Sequence, residues 1–323
     1  MADGDIFVYL GGDQVVPDEI THAIIDPSVK TVRRRAFYDL RRLVSVIFHD
    51  GVEIVEEEAF DGCLSLRGRI KLLGVREIED GAFRDCFDLE DVEFGDKLET
   101  IGVEAFCGCH LLRSIKPLSA KTVRHQAFGH CNQLTEAEFG INLERIGSNS
   151  FYNCPKLQRI AIPLKGNLFS PDPIGTRFSQ FDECTNLTTV DIVGAEEINN
   201  TISSLLMESW RNNMNEVINH INRGLPNTCS QEKAGSIRQR IRAAYYALEL
   251  FKAEHKKLLK EHMTLLELAV WKAKLGERDD DSTQKVQATK RAKIDEESSR
   301  KEKRITSGAD IIIKNVLPFL MLG

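Results

Sequence analysis

The chain has 323 residues, 42% hydrophobic and 28% charged, with a net charge of −6. That is length enough for a sizeable core and for two architectures, and the mild acidity argues against a whole-protein polyanion binder. The longest apolar runs fall far short of the ~18 residues of a membrane span.

Residues 1–20 read as a cap, punctuated by Gly11-Gly12 and Pro17. The opening stretch carries Asp3 and Asp5 and lacks a basic n-region and a long apolar run, so as it stands it is no secretory signal. An Ala-Phe pair then recurs at Phe37, Phe60, Phe83, Phe106 and Phe128, and as Ser-Phe at Phe151. The Phe-to-Phe steps are 23, 23, 23, 22 and 23 residues. A period in the 20s marks a stacked solenoid.

Other positions keep the same rhythm. Apolar residues lie 14, 12, 8 and 5 residues before the Phe, as Val46, Phe48, Val52 and Val55 do before Phe60. Three residues after the Phe comes Leu40, then Cys63, Cys86, Cys109, Cys131 and Cys154; six after it comes a Leu each time, Leu43 to Leu157. A last unit at Phe181 repeats this with Cys184 and Leu187, but 30 residues after Phe151. About seven residues are therefore inserted within 163–180, where Pro163, Gly166, Pro171, Pro173 and Gly175 suit an excursion loop. Each coil is expected to hold one short strand, for example 44–48 or 91–94, with alternate residues facing inward. Stacked coils would share one parallel sheet and one core. After Phe60 the alternating pair, Ile70 and Leu72, comes one residue late, which predicts a local register shift.

The pattern Ala-Phe-x-x-Cys-x-x-Leu-x-x-Val-x-Phe, followed by Leu-x-x-Ile, resembles the BspA-like leucine-rich repeat over roughly residues 20–198. The resemblance implies an α/β solenoid that is right-handed and slightly curved, and a binding role, without naming a ligand. Bacterial members act as surface adhesins.

After Ile198 the grammar turns helical. Leu205, Leu206, Trp210, Met214, Val217, Ile218 and Ile221 suggest a helix that closes the solenoid, stopped at Gly224-Leu225-Pro226. A longer helix is expected over about 232–276. Ile237, Ile241, Ala244, Leu248, Phe251, His255, Leu258, His262, Leu265 and Ala269 alternate steps of four and three, a heptad seam. Residues 277–304 are charged and read as disordered, and 310–323 turn apolar again. The expected domains are 1–198, 199–276, 277–309 and 310–323.

The Cys positions alternate with Leu40, so they read as reduced, buried spacers. A metal or redox site around Cys107, Cys109, His110, His130 and Cys131 lacks the usual zinc spacing. His255 and His262 read as polar interruptions of the seam, and the Asn186 and Asn199 sequons as unused. No Gly-rich phosphate loop, nucleophile elbow or HExxH occurs, so neither catalysis, cofactor nor metal is expected.

The outward strand residues change sign from coil to coil: Arg69 and Lys71, Asp91 and Glu93, Ser114 and Lys116, Glu136 and Glu138, Arg159, Asp191. They read either as a self-neutralising ionic ladder or as a patterned recognition face. The expected function is a non-enzymatic protein-interaction scaffold, cytoplasmic or nuclear, with Ile47, Arg69, Glu93, Lys116, Glu138 and Arg159 as the contact set. Self-association through 237–269 is a further expectation; nucleic acid and small-molecule substrates are not expected. The alternatives are an exported adhesin, or a nuclear nucleic-acid-associated protein using 285–304 with its Lys290-Arg291-Ala292-Lys293 patch.

Overall fold

The computed structural model describes residues 6–169, 180–194 and 230–283, with Asn212 and Glu216, both helical, besides. The chain divides into two compact units, Met1–Ala253 and Glu254–Gly323. The repeat rhythm appears in the first unit as alternating strands. In chain order these are Ile6–Tyr9 (β1), His22–Ile25 (β2), Thr31–Val32 (β3), Ser45–Ile47 (β4) and Ile54–Val55 (β5). Gly68–Leu72 (β6), Glu77–Ile78 (β7), Leu89–Phe94 (β8), Thr100–Ile101 (β9) and Ser114–Ile115 (β10) follow. Thr122–Val123 (β11), Glu136–Glu138 (β12), Arg145–Ile146 (β13), Arg159–Pro163 (β14) and Thr189–Val193 (β15) complete the set.

Each full coil thus carries two strands where the sequence predicts one. The first kind builds the main parallel face in three ladders, β1-β2-β4, β6-β8 and β10-β12-β14-β15. The second kind forms an unbroken sheet ordered β13-β11-β9-β7-β5-β3. These second strands are only two residues long, and their hydrophobic member recurs alone, as in Val32, Val55, Ile78 and Ile101. Two residues are too few to show a period of two.

A third line of inter-coil bonds follows the Ala-Phe pairs. The N–H of Phe37 donates to Ala59 C=O, Phe60 to Ala82, Phe83 to Ala105 and Phe106 to Ala127, each at 2.8 Å. The residues two before and two after the Phe have positive φ, for example Arg35 (56°) and Asp39 (55°), or Glu104 (52°) and Gly108 (79°). Alternating left- and right-handed residues turns every second N–H group toward the next coil, as at Arg35, Phe37 and Asp39. Each non-Gly left-handed residue costs ~1–2 kcal/mol, which the added backbone bond offsets.

Inside, the Phe rings stack. Phe37 to Phe60 is 4.7 Å between centroids, and the steps through Phe83, Phe106, Phe128, Phe151 and Phe181 run from 5.1 to 5.7 Å with interplanar angles of 13° or less. Tyr9 of the cap closes this column against Phe37 at 5.2 Å. The cysteine file is buried as expected, yet it does more than fill space. Cys63 Sγ donates to Phe37 C=O at 3.1 Å, and Cys86, Cys109, Cys131, Cys154 and Cys184 repeat this bond to the Phe of the coil before. Leu40 stands in the first coil, where no Phe carbonyl lies behind it to accept.

The predicted register shift is present. β6 and β8 slip by one residue between Gly68 and Arg69, with Gly68 opposite Leu89 and Arg69 opposite Asp91. The stretch 163–180, where the excursion is predicted, lies in part among the described residues. Leu164, Leu168 and Phe169 are buried, and Phe169 bridges Ile146, so 164–169 complete a coil and only 170–179 lie outside the described residues.

A helix, α1, runs from Ser230 to Thr283. In the first unit Ile237, Ile241, Ala244 and Leu248 join the solenoid core, and Gly166 abuts Tyr245 so closely that a Cβ there would sit 2.7 Å from the ring. The first four positions of the heptad seam are therefore satisfied within the chain. The helix also continues through 277–283, read from sequence as disordered; extending a formed helix needs no new nucleus. The predicted helix over 205–221, apart from Asn212 and Glu216, and the segments from 284 onward lie outside the described residues.

Candidate protein-binding face

Strand alternation puts one residue set of the main sheet into the Phe-lined core and the other toward solvent. The outward set is where the sequence places a contact surface. Arg69 on β6 reaches Asp91 at 2.6 Å and Glu93 at 3.7 Å, and Lys71 also reaches Glu93 at 3.7 Å. Lys116 pairs with Glu138 at 3.2 Å, and Arg159 with Asp191 at 2.5 Å. The hydrogen bond that Arg159 donates to Asp191 raises the guanidinium's pKa further. Five of the six predicted residues thus stand in three separate ion-paired blocks. Exposed pairs of this kind contribute little stability, about 0–1 kcal/mol each, but they fix where each charge stands.

Ile47 is the exception, and it is 60% exposed. It lies in register with Ile24, which lies in register with Val8. Ile6, Val8 and Leu10 are exposed beside them. The main face therefore passes from an apolar end on β1, β2 and β4 to a paired-charge ladder on later strands. Sequence reasoning missed the contribution of β1, although Ile6, Val8 and Leu10 alternate with inward Tyr9. The free edge of β1 is closed by one side chain: Leu10 N–H donates to Gln14 Oε1 at 2.6 Å, and Gln14 Nε2 donates to Val8 C=O at 3.3 Å.

Other surfaces carry their own charge files. Lys30–Glu53 and Lys121–Glu99 pair at 3.2 Å beside the two-residue strands, and a cavity of about 500 Å³ there is lined by Asp50, Arg76, Lys97 and Lys121 among others. On the Ala-Phe side Arg84 binds Asp61 at 2.6 Å, Glu104 at 3.2 Å and Glu58 at 3.3 Å. Burial pushes the Asp61 carboxyl up while Arg84 opposes it. Burial also pushes the Cys63 and Cys107 thiols up to about 12, so neither is a ready nucleophile. Among the described residues no group of three or more His, Cys, Asp or Glu could hold a metal ion, and no helix is long and apolar enough to cross a membrane.

The family model for the BspA type leucine rich repeat region matches residues 17–116 and 115–222 with six copies. The chain belongs to this family. Leucine-rich repeat proteins also appear among the similar solved structures. A leucine-rich repeat protein from Bacteroides ovatus is 24% identical, over 55% of this chain and 56% of that one, with a TM-score of 0.35. A T. pallidum leucine-rich repeat protein is 24% identical, over 55% and 77%, with a TM-score of 0.37. A leucine-rich cell surface protein from Faecalibacterium prausnitzii is 19% identical, over 54% and 67%, with a TM-score of 0.25. The chain spans a little over half the length of the Bacteroides ovatus protein. A search of the curated proteins finds no match. Leucine-rich repeat proteins are typically protein-interaction or surface proteins, and the BspA-type repeat is generally a binding or scaffold element rather than a catalytic one.

Proposed function

We propose that the chain is a non-enzymatic protein-interaction scaffold that binds its partner on the main strand face. The observation that carries this reading is the apolar row Val8–Ile24–Ile47, exposed at Val8 and Ile47 and half-buried at Ile24, beside the charge ladder that starts at Arg69. An apolar anchor with a polar surround is the arrangement of a protein interface. The ladder is pre-ordered by its ion pairs, which lowers the entropy cost of docking. Ile47 supplies apolar area; Arg69, Glu93, Lys116, Glu138 and Arg159 set register and exclude mismatched partners. The alternation of sign disfavours nucleic acid, which would need one sign throughout. Seven described cysteines are free and buried, which supports a reducing compartment, cytoplasm or nucleus. Self-association through 237–269 is narrowed to the seam beyond Leu248, since its first four positions are used in the core.

The test is quantitative affinity capture with the intact chain, Ile47→Asp, and the paired reversal Lys116→Glu with Glu138→Lys. The reading expects Ile47→Asp to lose captured proteins that wild type retains, with the reversal weakening the same set. Capture indifferent to all of these changes would remove the strand face from consideration.

A further inference from the structure

In the second unit α1 carries exposed apolar side chains both on its heptad seam and away from it. Leu265, Leu268 and Trp271 are exposed at 64%, 59% and 67%, and Val270 is exposed as well. At 100° per residue, Leu265, Leu266, Leu268 and Ala269 lie on the seam side of the helix. Met263, Val270 and Trp271 lie on the opposite side, Val270 and Trp271 flanking the exposed Glu267. A second copy docked along the heptads would leave Trp271 in water.

We propose that this opposite side is the docking site of the chain's own C-terminal segment, residues 310–323. The segment reads Asp-Ile-Ile-Ile-Lys-Asn-Val-Leu-Pro-Phe-Leu-Met-Leu-Gly, too apolar to favour water. Its length fits. The helix ends at Thr283, so Trp271 lies about 18 Å back along the axis at 1.5 Å per residue. The intervening residues 284–309, about 26 in number, span on the order of 28 Å as a flexible chain. The tether therefore holds the segment within reach at an effective concentration in the millimolar range. Its charges fit as well: Lys314 faces a side that presents Glu267, and Asp310 one that presents Lys260. A partner in trans would have to displace a segment already tethered at the site.

The test places a photo-reactive benzoylphenylalanine at Trp271 in the full chain, followed by irradiation, digestion and mass mapping. The proposal expects adducts to residues 310–323 at monomer mass. Adducts at dimer mass, adducts to other segments, or no adduct would each overturn it. A second measurement follows Trp271 emission in a Trp210→Phe chain with and without residues 310–323. Removal is expected to shift emission to the red and raise acrylamide quenching; unchanged emission would overturn the proposal. Neither readout depends on the strand face, so failure here leaves the scaffold reading standing.

Discussion

Glu79 shows how the stacked charges set stability one residue at a time. Its carboxylate accepts the Glu57 N–H at 3.0 Å, while burial, and then Glu56, Glu77 and Asp80, push its pKa up. The folded chain therefore holds this proton more tightly than the unfolded chain does. The favourable contribution is complete below the unfolded value of about 4.3 and is lost as pH rises through the elevated folded value. Glu79→Gln keeps an acceptor for Glu57 N–H and removes the charge. It is expected to stabilise the fold at pH 7 by about a few tenths of a kcal/mol, because the site is partly exposed, and so to raise the melting temperature. The gain should vanish below pH 4 in thermal melts, and a loss at pH 7 would contradict the assignment. The cysteine file marks the limit of reading at this scale. Its burial was legible because Leu40 shares its position, whereas the thiol bond to the preceding Phe carbonyl depends on a backbone turn that residue types do not announce.

Strands were legible in proportion to their length. The main strands alternate over enough residues to be seen, and the slip at Ile70 and Leu72 appeared as an offset of one. The two-residue strands and the left-handed positions flanking each Phe left no comparable trace, since Arg35, Glu58, Glu104 and Gln126 share no side-chain chemistry that demands positive φ. The candidate face was half legible: its charges could be paired from offsets, but its apolar end needed β1, which reads as a cap. That cap strand carries a liability. β1 is the outermost strand of its ladder, with exposed Ile6, Val8 and Leu10, a combination prone to edge-to-edge pairing. Gln14 answers the Val8 C=O and Leu10 N–H that a neighbouring strand would bond. Gln14→Ala is therefore expected to leave the melting temperature nearly unchanged and to produce concentration-dependent association by light scattering. A variant that stays monodisperse at high concentration would show that the edge is protected by something else.

The first unit is held together by neighbours rather than by a centre. Each coil bonds chiefly to the coils beside it, with an ion pair such as Arg124–Asp80 at 3.5 Å reaching one coil further, and its stability is close to a sum of coil and interface contributions. Two different devices close the ends: Tyr9 and Gln14 at the start, and the buried seam residues Ile237, Ile241, Ala244 and Leu248 of α1 within the same unit. Such an array unfolds as one only while every interface is strong enough to couple its neighbours. Phe106 sits mid-column, stacked 5.2 Å from Phe83 and 5.5 Å from Phe128, with Phe94 edge-on at 5.9 Å, and it is fully buried. Phe106→Ala removes ring contacts on both sides at a cost of about 3–5 kcal/mol. Because that loss falls on one interface rather than throughout, the coils before and after it should uncouple. Denaturant unfolding of Phe106→Ala is then expected to separate into two transitions with smaller m-values, the first moved to lower denaturant. A single transition displaced without change of slope would mean that the backbone ladders alone transmit cooperativity along the stack, and that the aromatic column only fills it.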